Sequence, residues 1–432
     1  MSSRPFKSPW WVVFGSTLGL IVGNGPITLF TFGVFLKPIV AAFGWNRGTV
    51  ASAITVSQAL GALATPFVGK MIDRWGVRRV TLPFVAAFAL TTAAIALTPA
   101  SPLMFILLYG ICGLAGGGQQ PLNYAKAISQ WFESSRGLAL GIAMAGVGIG
   151  TALDPQVVRV LIVHVGWRGA YVGLGILTFV LAFPAVAFFV REPDHDSAAD
   201  REHLASAGRI HEAASSAPAI PIREAIKGFR FWFILVAVFM VAASVNGSIA
   251  HIVPILTDRG ISAAVATSLL SVTGIALIGG RILSGFFLDR FFAPYVAACF
   301  FLLPLTGIGL LSSGAGGIVP FLGTVCLGLG IGSEIDIMAF LVGRYFGVRT
   351  FGEIYGWIMG VFVFASGLGP TIMGVCYDRT HSYNLALEGF AASLALACVL
   401  ISRLGPYAFP APKAEALAYV SGSSVAGSDS RV

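Results

Sequence analysis

The sequence predicts an all-α integral membrane protein with twelve transmembrane helices in two pseudo-symmetric six-helix bundles. Long apolar runs, scarce charge and landmarks that recur at a nearly constant offset support this prediction. Of the 432 residues, 56% are hydrophobic and 11% are charged, whereas a soluble domain carries about 25% charged residues. This composition excludes a soluble enzyme, a disordered chain and a nucleic-acid-binding protein, despite a formal net charge of +8.

A helix needs about 20 predominantly apolar residues to cross a bilayer. Twelve runs of this kind, here named spans 1 to 12, cover residues 10–36, 48–69, 79–98, 102–126, 137–160, 168–190, 230–257, 262–288, 293–312, 318–342, 351–376 and 385–404. Span 1 is too long for the core of a signal peptide and lacks a small-residue cleavage site. We expect it to be retained as the first transmembrane helix.

Positive charges predict the orientation, because cytoplasmic segments of membrane proteins carry an excess of lysine and arginine. With the N-terminus inside, 19 lysines and arginines fall in inner segments. Five fall in outer segments: Lys37, Arg47, Arg168, Arg259 and Arg379. We therefore expect both termini to be cytoplasmic. Three further cations lie within or at the edges of spans: Lys126, Arg159 and Arg281.

The longest polar stretch divides the spans into two groups of six. The expected organisation is an N-terminal bundle, a cytoplasmic linker, a C-terminal bundle and a cytoplasmic tail, at residues 1–190, 191–229, 230–405 and 406–432. The five cysteines lie in apolar runs without the spacing of metal ligands. The sequence therefore predicts neither a metal site nor a cofactor.

The two groups of spans are repeats of one another. Asp73-Arg74 after span 2 matches Asp289-Arg290 after span 8, at an offset of 216 residues. Pro155 in span 5 matches Pro370 in span 11, at an offset of 215 residues. Internal duplication of a multi-helix unit is typical of secondary transporters, whose substrate site lies at the repeat interface near the membrane midplane.

The loop after span 2 resembles the signature loop of the major facilitator superfamily, with the sequence Gly69-Lys-Met-Ile-Asp73-Arg74-Trp-Gly76-Val-Arg78-Arg79. Gly285-Phe-Phe-Leu-Asp289-Arg290 resembles its degenerate second copy. The resemblance covers nearly the whole chain and implies the major facilitator fold. Contacts of the aspartates with positive helix ends would gate the cytoplasmic face; alternatively, the charges only enforce topology. The predicted gating residues are Gly69, Asp73, Arg74, Gly76, Arg78, Arg79, Arg136, Asp289 and Arg290.

A narrower resemblance is to the monocarboxylate transporter family and its bacterial relatives. The start of span 5 is similar to that family's helix 4–5 signature, with the sequence Trp131-Phe132-Glu-Ser-Ser-Arg136-Gly-Leu-Ala139-Leu-Gly141-Ile-Ala143-Met-Ala145-Gly146. Serines replace two residues that are usually basic in the family pattern. The bacterial members are also similar at Gly44-Trp45-Asn46-Arg47 and Gly166-Trp167-Arg168. This resemblance implies a secondary active transporter of small organic anions.

Polar, helix-weakening segments occur in every third span: Gly23-Asn24-Gly25-Pro26, Gly116 to Pro121, Ser244 to Ser248 and Gly332 to Asp336. Such segments are tolerated in a bilayer only beside protein or a water-filled cavity. Close helix packing explains the glycines but not the Asn, Gln and Glu side chains. Spans 1, 4, 7 and 10 are therefore predicted to line one central cavity. The expected substrate contacts, besides an arginine discussed next, are Asn24, Thr28, Gln119, Gln120, Asn123, Tyr124, Asn246 and His251, the last with neutral packing as its alternative.

Arg281 is the main candidate for substrate binding. It precedes Arg290 by nine residues in span 8, so it lies roughly 13 Å deeper at about 1.5 Å per residue. An unpaired charge there costs about 2.5 kcal/mol or more, and a guanidinium group suits both oxygens of a carboxylate. The resemblance also places Arg281 at the substrate-binding arginine of monocarboxylate transporters and oxalate–formate exchangers. The alternative is a structural pair with Glu334 or Asp336.

The chain departs from its relatives at three places. The helix 8 aspartate of mammalian monocarboxylate carriers is Leu277 here, and their helix 1 lysine falls on Thr28. The oxalate exchangers place a second cation in helix 11, but residues 351–378 contain no lysine or arginine. One buried cation favours a monocarboxylate over a dicarboxylate.

Three acids within spans are candidates for proton coupling: Glu334, Asp336 and Asp154. Glu334 and Asp336 are about 200° apart around their helix, so only one is expected to face the cavity. An acid that loses and regains a contact with Arg281 would bind and release a proton. For Asp154, a local pair with Arg159 is the favoured role.

The favoured function is a proton-coupled carrier of small organic anions, monocarboxylates in particular, that works by alternating access. The alternatives are a proton-driven exporter of drugs or other organic compounds, an organic anion exchanger and a transporter-like metabolite sensor. The expected setting is a bacterial inner membrane, with the protein functional as a monomer. Its expected partners are the anion, protons and membrane lipid, with no nucleic acid. An enzyme is not predicted, since no His-Glu-x-x-His zinc motif is present.

Overall fold

The computed structural model describes residues 8–132, 135–191, 220–347 and 349–409. Within these ranges the regular structure is helical, without a strand. Most of the predicted linker and the tail beyond residue 409 lie outside the described residues.

Eleven helical segments of the described chain are long and apolar enough to cross a membrane. The longest, Arg136–Phe188, has 53 residues and is interrupted at Gly166, whose φ of 71° lies in the left-handed region. Glycine adopts this conformation without the steric penalty of a Cβ. The segment therefore makes two crossings, spans 5 and 6, which gives the twelve spans that the sequence predicts.

Several spans are divided into shorter helices. Span 1 comprises Trp10–Ile21, a π-helical turn Gly25–Phe30 and Phe32–Phe43. Span 4 comprises Pro102–Gly116, a 3₁₀ turn Gly117–Gln119 and Pro121–Ser129, and span 7 comprises Phe229–Ala250 and Ile252–Asp258. The remaining helices are Arg47–Trp75, Val77–Ala94 with Ile95–Leu97, Ile222–Ala225, Ala263–Leu288, Ala293–Ser312, Val319–Phe346, Phe351–Thr380 and Asn384–Ser402. Span 10 runs unbroken through its polar segment.

Glycines set the close contacts between neighbouring spans within each half. In the first half, a Cβ on Gly150 of span 5 would lie 2.0 Å from the carbonyl oxygen of Ile21 in span 1. In the second half, a Cβ on Gly280 of span 8 would lie 2.2 Å from the carbonyl oxygen of Leu329 in span 10. Small residues let membrane helices approach this closely.

The bundle has two faces. The face on which the described chain begins and ends is here named the terminal face, and the opposite one the far face. The halves touch in the region towards the far face, where Thr55 of span 2 donates a hydrogen bond to the Gly367 carbonyl of span 11 at 2.7 Å. Spans 2, 5, 8 and 11 make the main contacts between the halves. At several of their glycines nearer the terminal face, a Cβ would meet no atom within 4 Å: Gly69, Gly137, Gly141, Gly285, Gly352 and Gly356. These six glycines make no close contact with the opposite half, so the described contacts between the halves lie towards the far face.

Candidate functional site

Arg281 of span 8 and Asp336 of span 10 form an ion pair within the bundle. The arginine Nε lies 3.4 Å from the aspartate Oδ2, and the two side chains are 20% and 36% exposed. This Nε has no hydrogen-bond partner among the described residues, so the pair is a contact between charges with loose geometry. The guanidinium group is therefore paired in charge but keeps hydrogen-bond donors available.

Gly332 positions this pair. A Cβ at Gly332 would lie 2.2 Å from the Leu277 carbonyl oxygen and 3.0 Å from the Arg281 backbone nitrogen. Span 10 can therefore press against span 8 at the level of Arg281, and Asp336 follows Gly332 by one helical turn. Leu277, which replaces the family's helix 8 aspartate, is buried. The acid beside Arg281 is supplied by span 10 instead.

Glu334 lies on another side of span 10. Gly330, one turn before it, packs against Pro304 of span 9, whereas Gly332 packs against span 8. Glu334 is only 5% exposed, and both of its carboxyl oxygens lack a hydrogen-bond partner among the described residues. The structure thus separates the two acids as their helical phase predicts, and Asp336 is the one that contacts Arg281.

Asp154 does not form the predicted local pair with Arg159. The Nε of Arg159 instead donates to the Gln156 side-chain oxygen at 3.4 Å. Asp154 is buried in span 5, and its Oδ2 has no partner within the described chain. The expectation failed because five residues separate the two positions, which places them on different sides of a helix.

Asn24 and Thr28 lie at the π-helical turn of span 1, where both are buried. The Thr28 hydroxyl donates to the Asn24 carbonyl oxygen at 2.5 Å and to its side-chain oxygen at 3.2 Å. The Asn24 amide also donates to Gln58 of span 2 at 3.5 Å. Gln58 was not predicted, because span 2 has no polar, helix-weakening segment like those of spans 1, 4, 7 and 10.

The predicted residues of span 4 mainly stabilise the break in that span. The Tyr124 hydroxyl donates to the Gln119 side-chain oxygen at 2.6 Å, and the Asn123 amide donates to the Gly117 carbonyl at 3.2 Å. Gln119 is fully buried, and its Nε2 has no partner among the described residues. Gln120, partly exposed, precedes the helix that Pro121 begins. Lys126 contacts Asp73 of the same half.

Asn246 and His251 of span 7 lie in the interior of the bundle. The Asn246 amide donates to the Ala242 carbonyl at 2.9 Å and to Ser366 of span 11 at 3.3 Å. His251 is fully buried between the rings of Phe32 and Tyr383, with Nδ1 3.3 Å from the Gly247 carbonyl oxygen. Complete burial supports the packing alternative for His251 in this conformation.

Tyr355 of span 11 lies near the ion pair and was not predicted from the sequence. It is close enough to Asp336 and Arg281 to interact electrostatically with both. Its ring stacks on Phe351, with centroids 5.0 Å apart and an interplanar angle of 13°. An aromatic residue is common in an apolar span, so the sequence alone does not mark Tyr355 as a neighbour of Arg281.

The predicted gating residues lie on the terminal face and make contacts within their own halves. Asp73 pairs with Lys126, and both belong to the first half. Arg290 donates to the Phe286 carbonyl at 3.1 Å and lies over that residue's ring at 3.6 Å. Arg74 lies over the Trp75 ring at 5.8 Å. These contacts agree with a terminal face at which the halves are apart.

Two six-helix halves, with an ion pair between two of the transmembrane helices, are typical of a membrane transport protein. The family model of the Major Facilitator Superfamily matches residues 18–370. The chain belongs to this superfamily and is a transporter of organic compounds.

Curated relatives include characterised and uncharacterised transporters. The chain is 22% identical to the uncharacterized MFS-type transporter YcxA of Bacillus subtilis, over 91% of this chain and 94% of the relative. It is 26% identical to human monocarboxylate transporter 11, over 89% and 81% of the two chains. It is 24% identical to the gallate transporter of Pseudomonas putida, over 92% and 93%.

Solved structures with the same fold include two transporters. A bacterial homolog of the human lysosomal transporter Spinster, inward-facing and unoccupied, aligns with a TM-score of 0.68 at 16% identity, over 93% of this chain and 98% of the other. A variant of the nucleoside transporter NupG aligns with a TM-score of 0.70 at 11% identity, over 92% and 99%. At these identities the likeness shows the fold alone.

Proposed function

We propose that the chain is a proton-coupled carrier of small organic anions, monocarboxylates in particular, that works by alternating access as a monomer. The observation that carries this proposal is the Arg281–Asp336 pair. An arginine within the membrane is costly unless paired or hydrated, and its planar donors suit a carboxylate. The similarity to monocarboxylate and gallate transporters supports an organic acid as the substrate.

The pair suggests how an anion and a proton share one site. A substrate carboxylate that binds Arg281 replaces Asp336 as the counter-ion of the guanidinium group. Asp336 then loses the charge that favours its ionised form and takes up a proton. Release of the anion and the proton on the other side restores the ion pair. In this proposed cycle, an empty carrier with the ion pair formed is the state after release.

The charge distribution supports a terminal face in the cytoplasm, and a bacterial inner membrane is the proposed setting. Helix ends and short connections on the terminal face carry Lys70, Arg78, Arg79, Arg290 and Arg349. Positive charge is enriched in cytoplasmic segments, and this supports a cytoplasmic position for the terminal face. In this orientation the cycle imports an anion with a proton when the outside is more acidic.

Aromatic acids are the second substrate class to examine. Tyr355 lies near the arginine–aspartate pair, and its ring stacks on Phe351. Aromatic faces attract one another in stacked or edge-on arrangements. The relative that transports gallate is consistent with such a substrate. A substrate panel should therefore contain lactate, pyruvate, benzoate and gallate.

The test is uptake of labelled acids into proteoliposomes, with and without an inward proton gradient. We expect gradient-driven uptake of at least one acid by the native protein. Arg281→Ala should reduce uptake at least about tenfold, since a charged hydrogen-bonding pair contributes about 1.5–3 kcal/mol. The matched control is Arg159→Ala, which removes another intramembrane cation whose side chain bonds, within the described part of the chain, to Gln156 of its own helix and should retain uptake.

Other outcomes would favour the alternative functions. Uptake that requires a second organic anion inside the vesicles, and not a proton gradient, would indicate an exchanger. Movement of drugs or cations out of vesicles against a proton gradient would indicate an exporter. Saturable binding without flux of any acid would indicate a sensor. Equal uptake by the native protein and Arg281→Ala would contradict the proposed site.

A further inference from the structure

A cluster of charged and aromatic residues joins the two halves at the far face. We name it the far-face cluster: Lys37 and Arg47 of the first half, and Asp258, Asp378, Tyr377 and Tyr383 of the second. The Arg47 guanidinium donates to both carboxylate oxygens of Asp258, at 2.5 and 3.1 Å. Lys37 Nζ lies 2.6 Å from the same carboxylate. One acid therefore holds two cations of the opposite half.

Asp378 binds the first half through the backbone. Its two carboxylate oxygens accept hydrogen bonds from the backbone N–H groups of Arg47 and Gly48, at 2.9 and 2.7 Å. These two residues begin span 2, and a carboxylate at a helix N-terminus is favoured by the helix dipole. Gly48 also lets span 11 approach, because a Cβ there would lie 2.7 Å from Val375.

Aromatic residues complete the contacts of Arg47. Its guanidinium carbon lies 3.6 Å from the centroid of the Tyr377 ring, within the range of a cation–π interaction. The same group donates to the Tyr383 hydroxyl at 2.6 Å. Burial raises the pKa of this hydroxyl above its usual value, although Arg47 acts in the opposite direction. The Arg47 side chain is only 11% exposed, so the contacts are shielded from water.

The charges are segregated by half. Both cations belong to the first half and both carboxylates to the second, and every polar bond described above crosses between them. Charge-assisted hydrogen bonds are the stronger ones in proteins. Separation of the halves at the far face would break all of them together, and would leave two cations and two anions exposed on opposite walls.

We propose that the far-face cluster is the gate that holds this transporter closed on the far face, with Arg47 as its central residue. Opening of the far face then requires Arg47 and Lys37 to leave Asp258, and the start of span 2 to leave Asp378. The inference rests on the alternating-access mechanism of the proposed function, but not on the substrate or on proton coupling. The terminal-face residues make no equivalent set of bonds between the halves in the described chain.

The test measures both faces by pulsed electron paramagnetic resonance without any substrate. Spin labels replace Ala42 and Leu385 at the far face in one sample, and Lys70 and Glu353 at the terminal face in another, after the five native cysteines are changed to serine. Asp258→Asn should raise the fraction of molecules with the longer far-face distance about tenfold, as loss of about 1.4 kcal/mol of a charged contact would do. The terminal-face distance should shorten in the same molecules.

Two further variants make the result decisive. Asp378→Asn weakens only the contacts with the start of span 2, and it should shift the distances in the same direction even if Asp258→Asn is unstable. Arg379→Gln removes an exposed charge next to Asp378 and should leave both distances unchanged. Native-like distances in both aspartate variants would overturn the gate. Broadening at both faces would indicate general loss of structure, and would also contradict a specific gate. Neither result depends on which acid is transported.

Discussion

The environment of Arg281 depends on a single glycine. Gly332 brings span 10 against the backbone of span 8 at Leu277 and Arg281, and this contact sets the distance between Arg281 and Asp336. A wider gap between the two helices would lengthen the 3.4 Å contact between Arg281 and Asp336. The site is therefore built from helix packing as much as from its charged side chains.

We predict that Gly332→Ala weakens both the fold and the site. The added methyl group would press on backbone atoms of Leu277 and Arg281, and overpacking of this kind costs about 1–3 kcal/mol. Thermal unfolding in detergent should shift to a lower temperature, and uptake at low substrate concentration should fall at least about fivefold. Gly343→Ala in the same helix is the control, because a Cβ there meets no atom within 4 Å. Equal behaviour of the two variants would refute this account.

A single residue could be predicted from the sequence where its position within the membrane costs much free energy. Arg281 could be predicted because a lone cation in a long apolar run needs an explanation. Which acid pairs with Arg281 could not be predicted. The helical phase places Glu334 and Asp336 on different faces of span 10, but it does not say which of these faces is turned towards span 8. Arg47 was recognised only as part of a family pattern and as an outer charge. Its acidic partners are more than 200 residues away in sequence, where no local pattern connects them.

At the scale of elements, breaks in helices are stabilised from within. The 3₁₀ turn of span 4 is held by Tyr124 and Asn123 of the following helix, and the π-helical turn of span 1 by Thr28 and Asn24. Glycine and proline predicted both breaks. The hydrogen bonds that occupy the polar side chains were not predictable, because they depend on the local fold of each turn. The polar segment of span 10, Gly332 to Asp336, contains no proline, and span 10 remains helical through it.

Two tyrosines distinguish a residue that stabilises a helix break from a residue near the ion pair. Tyr124→Phe leaves the buried Gln119 oxygen without its donor, at a cost of about 1–3 kcal/mol, so thermal stability should fall while apparent substrate affinity changes little. Tyr355→Phe removes a hydroxyl beside the ion pair, so affinity should change several-fold while thermal stability stays near native. Thermal unfolding and concentration-dependent uptake of both variants provide the comparison. The reverse assignment of effects would show that Tyr124, not Tyr355, contacts the substrate.

At the scale of the whole molecule, the sequence predicts the twelve spans and the duplication of six-helix halves, and the structure confirms both. The conformational state is not predictable, because one sequence must support both open states of a transporter. Contacts near the far face, such as Thr55 with Thr371 at 2.7 Å, and gaps near the terminal face define the state observed. Polar bonds join the halves at the far face, whereas the described contacts at the terminal face stay within each half. This difference explains why the halves are apart at the terminal face.

The central claim is that Asp336 exchanges Arg281 for a proton when the substrate binds. The most direct measurement compares native protein and Asp336→Asn in two assays: accumulation driven by a proton gradient, and exchange of labelled for unlabelled acid without a gradient. The account predicts that Asp336→Asn loses accumulation but retains exchange, because the anion still binds Arg281 while no proton moves with it. Glu334→Gln, two residues away, should retain both activities. Gradient-driven accumulation by Asp336→Asn at the native level would contradict the account.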